Sequence, residues 1–265
     1  MSWGARIAKD CVGDETAETL VNPWRERLTM TGEDLKTLAK RRVGEQAASL
    51  VESGMVVGLG TGSTAAFAIE AIGRRIRTEG LRVTGVPTSF SAAELARRAG
   101  VPLVSLDEVA RIDVALDGAD EVDPRLNLIK GRGAAHLREK IVESFADRFI
   151  VLVDESKIVQ RLGQNSPVPI EVVPFGWRLV ERELVRLRGE VRVRIGSGKD
   201  GPVMSDQGNL IADVRFGPIE DAAALNAALA GIPGLVGHGL FVDIADQVWV
   251  GADDGKVRIV QRDGE

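Results

Sequence analysis

The sequence predicts an α/β protein: a doubly wound, mostly parallel sheet with a second, smaller ferredoxin-like α+β domain. Three observations carry that expectation. Short apolar runs of strand length alternate with stretches of helical spacing from residue 34 to about 163, the pattern of a parallel sheet with helices on its faces. Beyond Gly163 the order becomes strand, helix, strand, strand, helix, strand, which is the order of a small ferredoxin-like unit. The motifs able to carry chemistry follow apolar runs, so a parallel sheet would gather them at the carboxyl ends of its strands.

Residues 1–33, with Trp3, Cys11 and Trp24 among charges, show no period and read as an N-terminal extension. From Asp34 to Ser53, Leu35, Leu38, Val43, Ala47, Leu50 and Val51 recur at helical spacing until Gly54 ends the pattern. MVVGLG (55–60) reads as a strand, and STAAFAIEAIGRRI as the helix after it, with Ser63 or Thr64 placed to cap. The unit repeats in outline as LRVTGVPTS followed by SAAELARRAG, then strands in VPLVSL and RIDVALDGAD, a helix over 134–147 and a strand in FIVLVDES. The smaller unit reads as PIEVVP, a helix near 176–187, EVRVRI, a turn through GSGKDGP, NLIADVRF, a helix near 219–231 and VGHGLFV. DQVWVGADDGKVRIVQR closes as a hairpin around Asp253, Asp254 and Gly255 that returns to the large domain. The expected division is an extension over 1–33, a Rossmann-like domain over 34–163 and 237–265 that carries the chemistry, and a small α+β lid over 164–236.

Composition excludes several classes of function. The 265 residues are 44% hydrophobic and 28% charged, an ordinary balance for a globular protein, so wholesale disorder is not expected. Formal charge is −5 and no basic run could track a phosphate backbone, so nucleic acid is a poor partner. A single cysteine forms no internal disulfide framework and fits a reducing compartment. His136 and His238 lie in no zinc pattern, so a zinc site is not expected. No stretch approaches the roughly 20 apolar residues of a membrane span, and no signal-peptide core opens the chain, so a cytoplasmic protein is expected.

GLGTGST (58–64) sets glycines and hydroxyls between a strand and a helix. Glycines let a backbone approach an anion, and a helix N-terminus offers unpaired N–H groups, so a phosphate is the natural guest; a tight turn with an ordinary cap is the plainer alternative. No lysine follows Gly62, which excludes a Walker loop, and the next strand ends in Thr88 and Ser89, which disfavours a dinucleotide.

LDGADEVD (116–123) delivers Asp117, Asp120, Glu121 and Asp123 within seven residues, and like charges this close repel unless a cation, water or a substrate receives them. Gly118 permits a bend that turns Asp117 and Asp120 toward one ligand, where they could hold sugar hydroxyls, move protons or bind a divalent metal; a solvated turn is the alternative. Lys130, followed by Gly131 and then Gly133, could neutralise a phosphate or a developing oxyanion. In AAHLREKIVESFAD, an apolar stripe of Leu137, Ile141 and Phe145 would set Glu139 about 200° from Leu137, off the core, with Glu143 one turn on repelling it weakly. On its own Glu139 reads as a surface glutamate. Lys40 and Lys157 are equally plain in isolation, and His238 reads as packed or capping.

Taken together, GLGTGST, PTSFSAAELA, LDGADEVDPRLNLIKGRGAAHLREKI, VLVDESK, EVVP and GHGLF resemble the type A ribose-5-phosphate isomerases, in the same order from about residue 34 onward. The resemblance implies an aldose–ketose isomerase that interconverts ribose 5-phosphate and ribulose 5-phosphate through an enediolate in the pentose phosphate pathway, with no cofactor and no obligatory metal. It implies Glu139 as the base between C2 and C1, and Asp117 and Asp120, with Gly118 and Ala119 beside them, as sugar contacts that assist ring opening and hydroxyl proton transfer. Lys130 would stabilise the enediolate with backbone N–H groups at Gly131, Arg132 and Gly133. Thr61, Gly62, Ser63 and Thr64 would line the phosphate end, Lys40 and Lys157 would add positive charge, and relatives usually form a homodimer or homotetramer. The sequence departs from the pattern at Arg132, where glycine is usual and positive φ would be awkward for arginine, and in its extension. An isomerase of another phosphosugar and a non-catalytic sugar-phosphate binder are the rival readings.

Overall fold

The computed structural model describes residues 31–198, 200–252 and 254–262, so most of the extension and Asp253 of the final turn lie outside the described residues. Residues 31–33 belong to the first helix rather than to an extension. Helix α1 (Gly32–Ala48) is capped reciprocally: the Thr31 hydroxyl accepts from the Asp34 N–H, and the Asp34 carboxylate accepts from the Thr31 N–H at 2.9 Å. It ends five residues earlier than its apolar spacing suggested.

The strands are β1 (Val56–Leu59), β2 (Thr84–Pro87), β3 (Val114–Asp117), β4 (Glu121–Val122), β5 (Leu128–Ile129), β6 (Phe149–Asp154) and β7 (Val168–Val172). There follow β8 (Glu190–Val193), β9 (Leu210–Arg215), β10 (Leu235–His238), β11 (Leu240–Phe241), β12 (Gln247–Gly251) and β13 (Val257–Gln261). The remaining helices are α2 (Ser63–Glu79), α3 (Phe90–Ala99), α4 (His136–Ser144), α5 (Trp177–Arg186) and α6 (Ala222–Ala230).

The large sheet has the order β13-β12-β6-β3-β1-β2, parallel throughout except for the antiparallel edge strand β13. Side-chain alternation along β6 divides its burial between two faces. Ile150 and Leu152 pack with α1, α2 and α3, while Phe149, Val151 and Val153 pack with Val122, Leu128 and Phe241. The second face is covered by a small antiparallel sheet, β11-β5-β4, and by α4, whose Val142 meets Val86 and Ile112. The closing hairpin does join the large sheet, with Gln247 opposite Gln261.

The separate four-stranded sheet is antiparallel with the order β10-β7-β9-β8, the ferredoxin-like arrangement for strands joined in the sequence β7, α5, β8, β9, α6, β10. Its core joins Val168, Ile170 and Val172 of β7 to Val180, Leu184 and Leu229 of the helices.

Three local expectations fail. VPLVSL forms no strand: only Leu103 bridges to Gly85, because Pro102 has no N–H to extend the ladder, and a short 3-10 turn follows at Leu106–Glu108. Neither Ser63 nor Thr64 caps α2; Gly62 is the cap and no side chain accepts there. VGHGLFV splits at Gly239 between two sheets, with the Gly239 N–H bonded to Pro169 O at 2.7 Å and its carbonyl accepting the Lys130 N–H at 2.9 Å.

Candidate active site

The glycine turn after β1 is shaped by the acid loop after β3. A Cβ on Gly60 would stand 2.1 Å from Asp117 Cγ, so only glycine lets Asp117 pass beneath the turn. Asp117 Oδ1 accepts the Thr61 N–H at 2.9 Å and the Gly118 N–H at 2.6 Å. The Thr61 hydroxyl lies 2.7 Å from the Ser89 Oγ and 2.9 Å from the Thr88 Oγ1, so the end of β2 steadies the same turn. With no side-chain cap on α2, its first N–H groups keep their partial positive charge at the cavity lined by Gly62, Ser63 and Thr64.

Lys130 leaves β5 and buries its ammonium among acids. Its Nζ donates to Gly118 O at 2.6 Å and lies 2.9 Å from Asp117 Oδ2, 3.2 Å from Glu143 Oε1 and 3.4 Å from Glu139 Oε2. The rings of Phe149 and Phe241 flank it at 5.9 and 5.5 Å. Burial alone would push this lysine's pKa down, but the charges of Asp117, Glu139 and Glu143 outweigh it and hold the ammonium well above its ordinary value.

Helix α4 presents the opposite face from the one its apolar stripe suggested. Ile141 and Phe145 are 48% and 43% exposed, whereas His136, Glu139, Val142 and Glu143 are buried. The inner face is polar because Lys130 is there to receive it. Glu139, taken from the sequence as a surface residue, is 4% exposed, and burial raises its pKa to about 8 against the opposing pull of Lys130. Burial likewise holds Glu143 well above the usual carboxylate range.

Above this cluster lies a cavity of about 310 Å³ lined by Lys40, Thr61, Gly62, Ser63, Thr64, Gly118, Ala119, Asp120, Lys130, Gly131, Arg132, Gly133, Glu139 and Lys157, together with Leu152, Val153 and Asp154. Asp117 is absent from that wall. Its side chain is 1% exposed and its oxygens face the glycine turn and Lys130, so here it points away from the cavity that its place in DGAD suggested it would line. Asp120 does face the cavity, and its Oδ2 accepts the Arg132 N–H at 3.0 Å, which removes that N–H from the set expected at Lys130's loop. The other two acids of the run serve structure. Glu121 binds the N–H groups of Gly163, Asn165 and Ser166, and Asp123 closes a turn on Arg125 and Asn127.

Arginine at 132 does not disturb the loop. Positive φ falls on Gly131 (105°) and Ala134 (61°), not on Arg132. A Cβ at Gly131 would meet the His136 ring at 2.7 Å, so the glycine that matters is 131. The loop is held from the antiparallel sheet: Arg194 pairs with Asp213 through its Nε at 2.8 Å and donates to Arg132 O at 2.9 Å and Gly131 O at 3.2 Å. Lys40 lies 3.9 Å from Asp154, and both line the cavity.

Sequence reasoning missed Glu143, Asp154 and Arg194. A usable signal existed for the first: two glutamates four apart on one helix face are unfavourable unless a cation lies between them. His238, read as packed, is buried with its Nδ1 3.2 Å from Lys140 Nζ. Among the described residues no helix is long and apolar enough to cross a membrane.

Residues 84–255 match the family model of ribose 5-phosphate isomerase A (phosphoriboisomerase A). The chain is 57% identical over 213 residues to the ribose-5-phosphate isomerase A of Thermosynechococcus vestitus, covering 80% of this chain and 90% of that one. It is 52% identical over 221 residues to that of Thermococcus kodakarensis, covering 83% and 96%. Among solved structures, ribose 5-phosphate isomerase A from Methanocaldococcus jannaschii superposes with a TM-score of 0.82 at 48% identity, covering 87% of this chain and all (100%) of that one. A D-ribose-5-phosphate isomerase in complex with phospho-erythronic acid gives a TM-score of 0.82 at 46% identity, covering 88% and 100%.

Proposed function

The chain belongs to the ribose 5-phosphate isomerase A family and interconverts D-ribose 5-phosphate and D-ribulose 5-phosphate; from that premise we propose that Glu139 is the base that carries the proton between C2 and C1. The observation that supports this most is that Glu139 is the glutamate on the cavity wall, with Lys130 at 3.4 Å.

Isomerisation moves one proton from C2 to C1 and one from the C2 hydroxyl to the carbonyl oxygen at C1, with no net change in electrons. It needs a base over the C–H and positive charge where the oxyanion grows. Glu139 takes the C2 proton of the opened sugar, leaving a cis-enediolate, and returns it to C1. Its raised pKa suits both halves of that exchange near neutral pH. Lys130, pre-placed by Asp117 and Gly118 O, stabilises the enediolate oxygens with the N–H groups of Gly131 and Gly133. Asp120 assists ring opening and proton transfer between hydroxyls. Asp117 acts on the lysine and the glycine turn rather than on the sugar. The phosphate sits at the start of α2 near Thr61, Gly62, Ser63 and Thr64, with Lys40 and Lys157 supplying charge. Phospho-erythronic acid, bound by a relative, carries a carboxylate and a phosphate, and in this reading Lys130 would meet the first and the start of α2 with Lys40 and Lys157 the second.

The same reading takes the Rossmann-like part, from the Thr31 cap of α1 to Gly163 and from Gly239 onward, as the catalytic domain and the antiparallel sheet with its helices, through His238, as a lid, in a cytoplasmic homodimer or homotetramer. Incubation with ribose 5-phosphate in heavy water tests the mechanism: ketose should form with deuterium at C1. Ketose formed with complete retention of the original hydrogen and no exchange into recovered aldose would argue against a solvent-accessible carboxylate base.

A further inference from the structure

The Lys130 ammonium has three N–H groups and four acceptors around it: Gly118 O, Asp117, Glu143 and Glu139 at 2.6, 2.9, 3.2 and 3.4 Å. Three carboxyls also share one cation in a site where each of the four side chains is 5% exposed or less. Uncompensated charge there is costly, and protonation is the usual relief. The three carboxyls are not alike. Asp117 has two backbone N–H groups on one oxygen and the ammonium on the other, so it is well satisfied as an anion. Glu139 faces the cavity, where water and substrate reach it. Glu143 has a side chain 0% exposed, off the cavity wall, and its carboxyl meets the ammonium as an ion pair at 3.2 Å through Oε1 while Oε2 is left without a donor.

We propose that Glu143 is a positioning residue held as the neutral carboxylic acid, which donates its proton to a neighbouring carboxylate, steadies Lys130 from behind and leaves Glu139 as the group that titrates. A proton on Glu143 supplies one further donor to the cluster, directed at the neighbouring Asp117 carboxylate, where three ammonium N–H groups face four acceptors. The charged groups facing it are Lys130 after β5, Asp117 of β3, and Glu139 and Lys140 of its own helix; Lys140 is turned away toward Leu240 O at 2.6 Å. Burial acts in the same sense, pushing the Glu143 carboxyl well above the usual carboxylate range. The inference rests on Glu139 being the base.

Two measurements on the full chain test it. The carboxylic-acid carbonyl stretch of the ligand-free protein at about pH 9.5, above the value of about 8 to which Glu139 is raised, read by infrared spectroscopy, should persist in Glu139→Gln and disappear in Glu143→Gln. Kinetics should show Glu143→Ala lowering kcat by about tenfold or more with KM changed less than about twofold, and Glu143→Gln, isosteric with the neutral acid, recovering most of that loss without moving the acid limb of the kcat/KM profile. The proposal is overturned if the acid signal belongs to Glu139 instead, or if Glu143→Gln shifts the acid limb to lower pH by about a unit, as removal of a nearby anion would. Activity surviving in Glu139→Gln would sink the base assignment and leave the infrared result on Glu143 standing. If Glu143→Ala does not fold, the glutamine variant and the spectrum decide alone.

Discussion

Lys130 Nζ stands 2.9 Å from Asp117 Oδ2 and 3.4 Å from Glu139 Oε2, so one ammonium ties the acid that shapes the glycine turn to the acid that faces the cavity. The loop after β3, the loop after β5 and helix α4 are thereby fixed to one point. Removing the lysine leaves its acids as buried charge without compensation.

Lys130→Met keeps most of the side-chain volume and removes the charge. It should lower kcat roughly a hundred- to a thousand-fold, the scale of losing one transition-state electrostatic donor. Because the lysine opposes the upward push of burial on Glu139, the acid limb of the residual kcat/KM profile should move to higher pH. Steady-state kinetics from pH 5 to 10 reads both effects.

Stability should carry the mark of Glu139's raised pKa. A carboxyl that binds its proton more tightly folded than unfolded contributes stability fully present below its unfolded pKa, near 4.5, and lost as pH rises through about 8. Glutamine cannot titrate, so the melting temperature of Glu139→Gln relative to wild type should rise steadily between those values and level off beyond. A difference that stays flat across that window would contradict the shift.

Arg194 reaches from the antiparallel sheet to two carbonyls of the Lys130 loop. Arg194→Met should lower kcat/KM about tenfold while leaving the melting temperature within a few degrees, since the losses are a partly exposed ion pair and two surface-side hydrogen bonds. Asp213→Asn should act in the same direction and more weakly, and the double variant should cost less than the sum of the singles. Additive losses would mean that the two residues act separately.

Much of the architecture was legible because burial followed simple periods. FIVLVD alternates between two apolar faces, and PIEVV, EVRV and LIADVR announce a sheet with one helical cover. VPLVSL misled because apolarity says nothing about a missing donor, and Pro102 lies where the ladder needs one. Helix α4 misled for a deeper reason. An amphipathic reading assumes that the apolar stripe goes inward, whereas here Ile141 and Phe145 stay half exposed and Glu139 and Glu143 go in, which only a lysine six residues before the helix makes tolerable. The cavity wall reaches the eye through loops quoted together, but Asp117's inward turn depends on the absence of a single Cβ at Gly60, a relation between residues 57 apart that no local pattern encodes.

The most direct measurement is single-turnover proton exchange by Glu139→Gln alongside its affinity for ribose 5-phosphate. The account predicts that exchange and turnover fall roughly a hundred- to ten-thousand-fold, the usual worth of a positioned base, while the dissociation constant stays within about threefold. Exchange at the wild-type rate would contradict it.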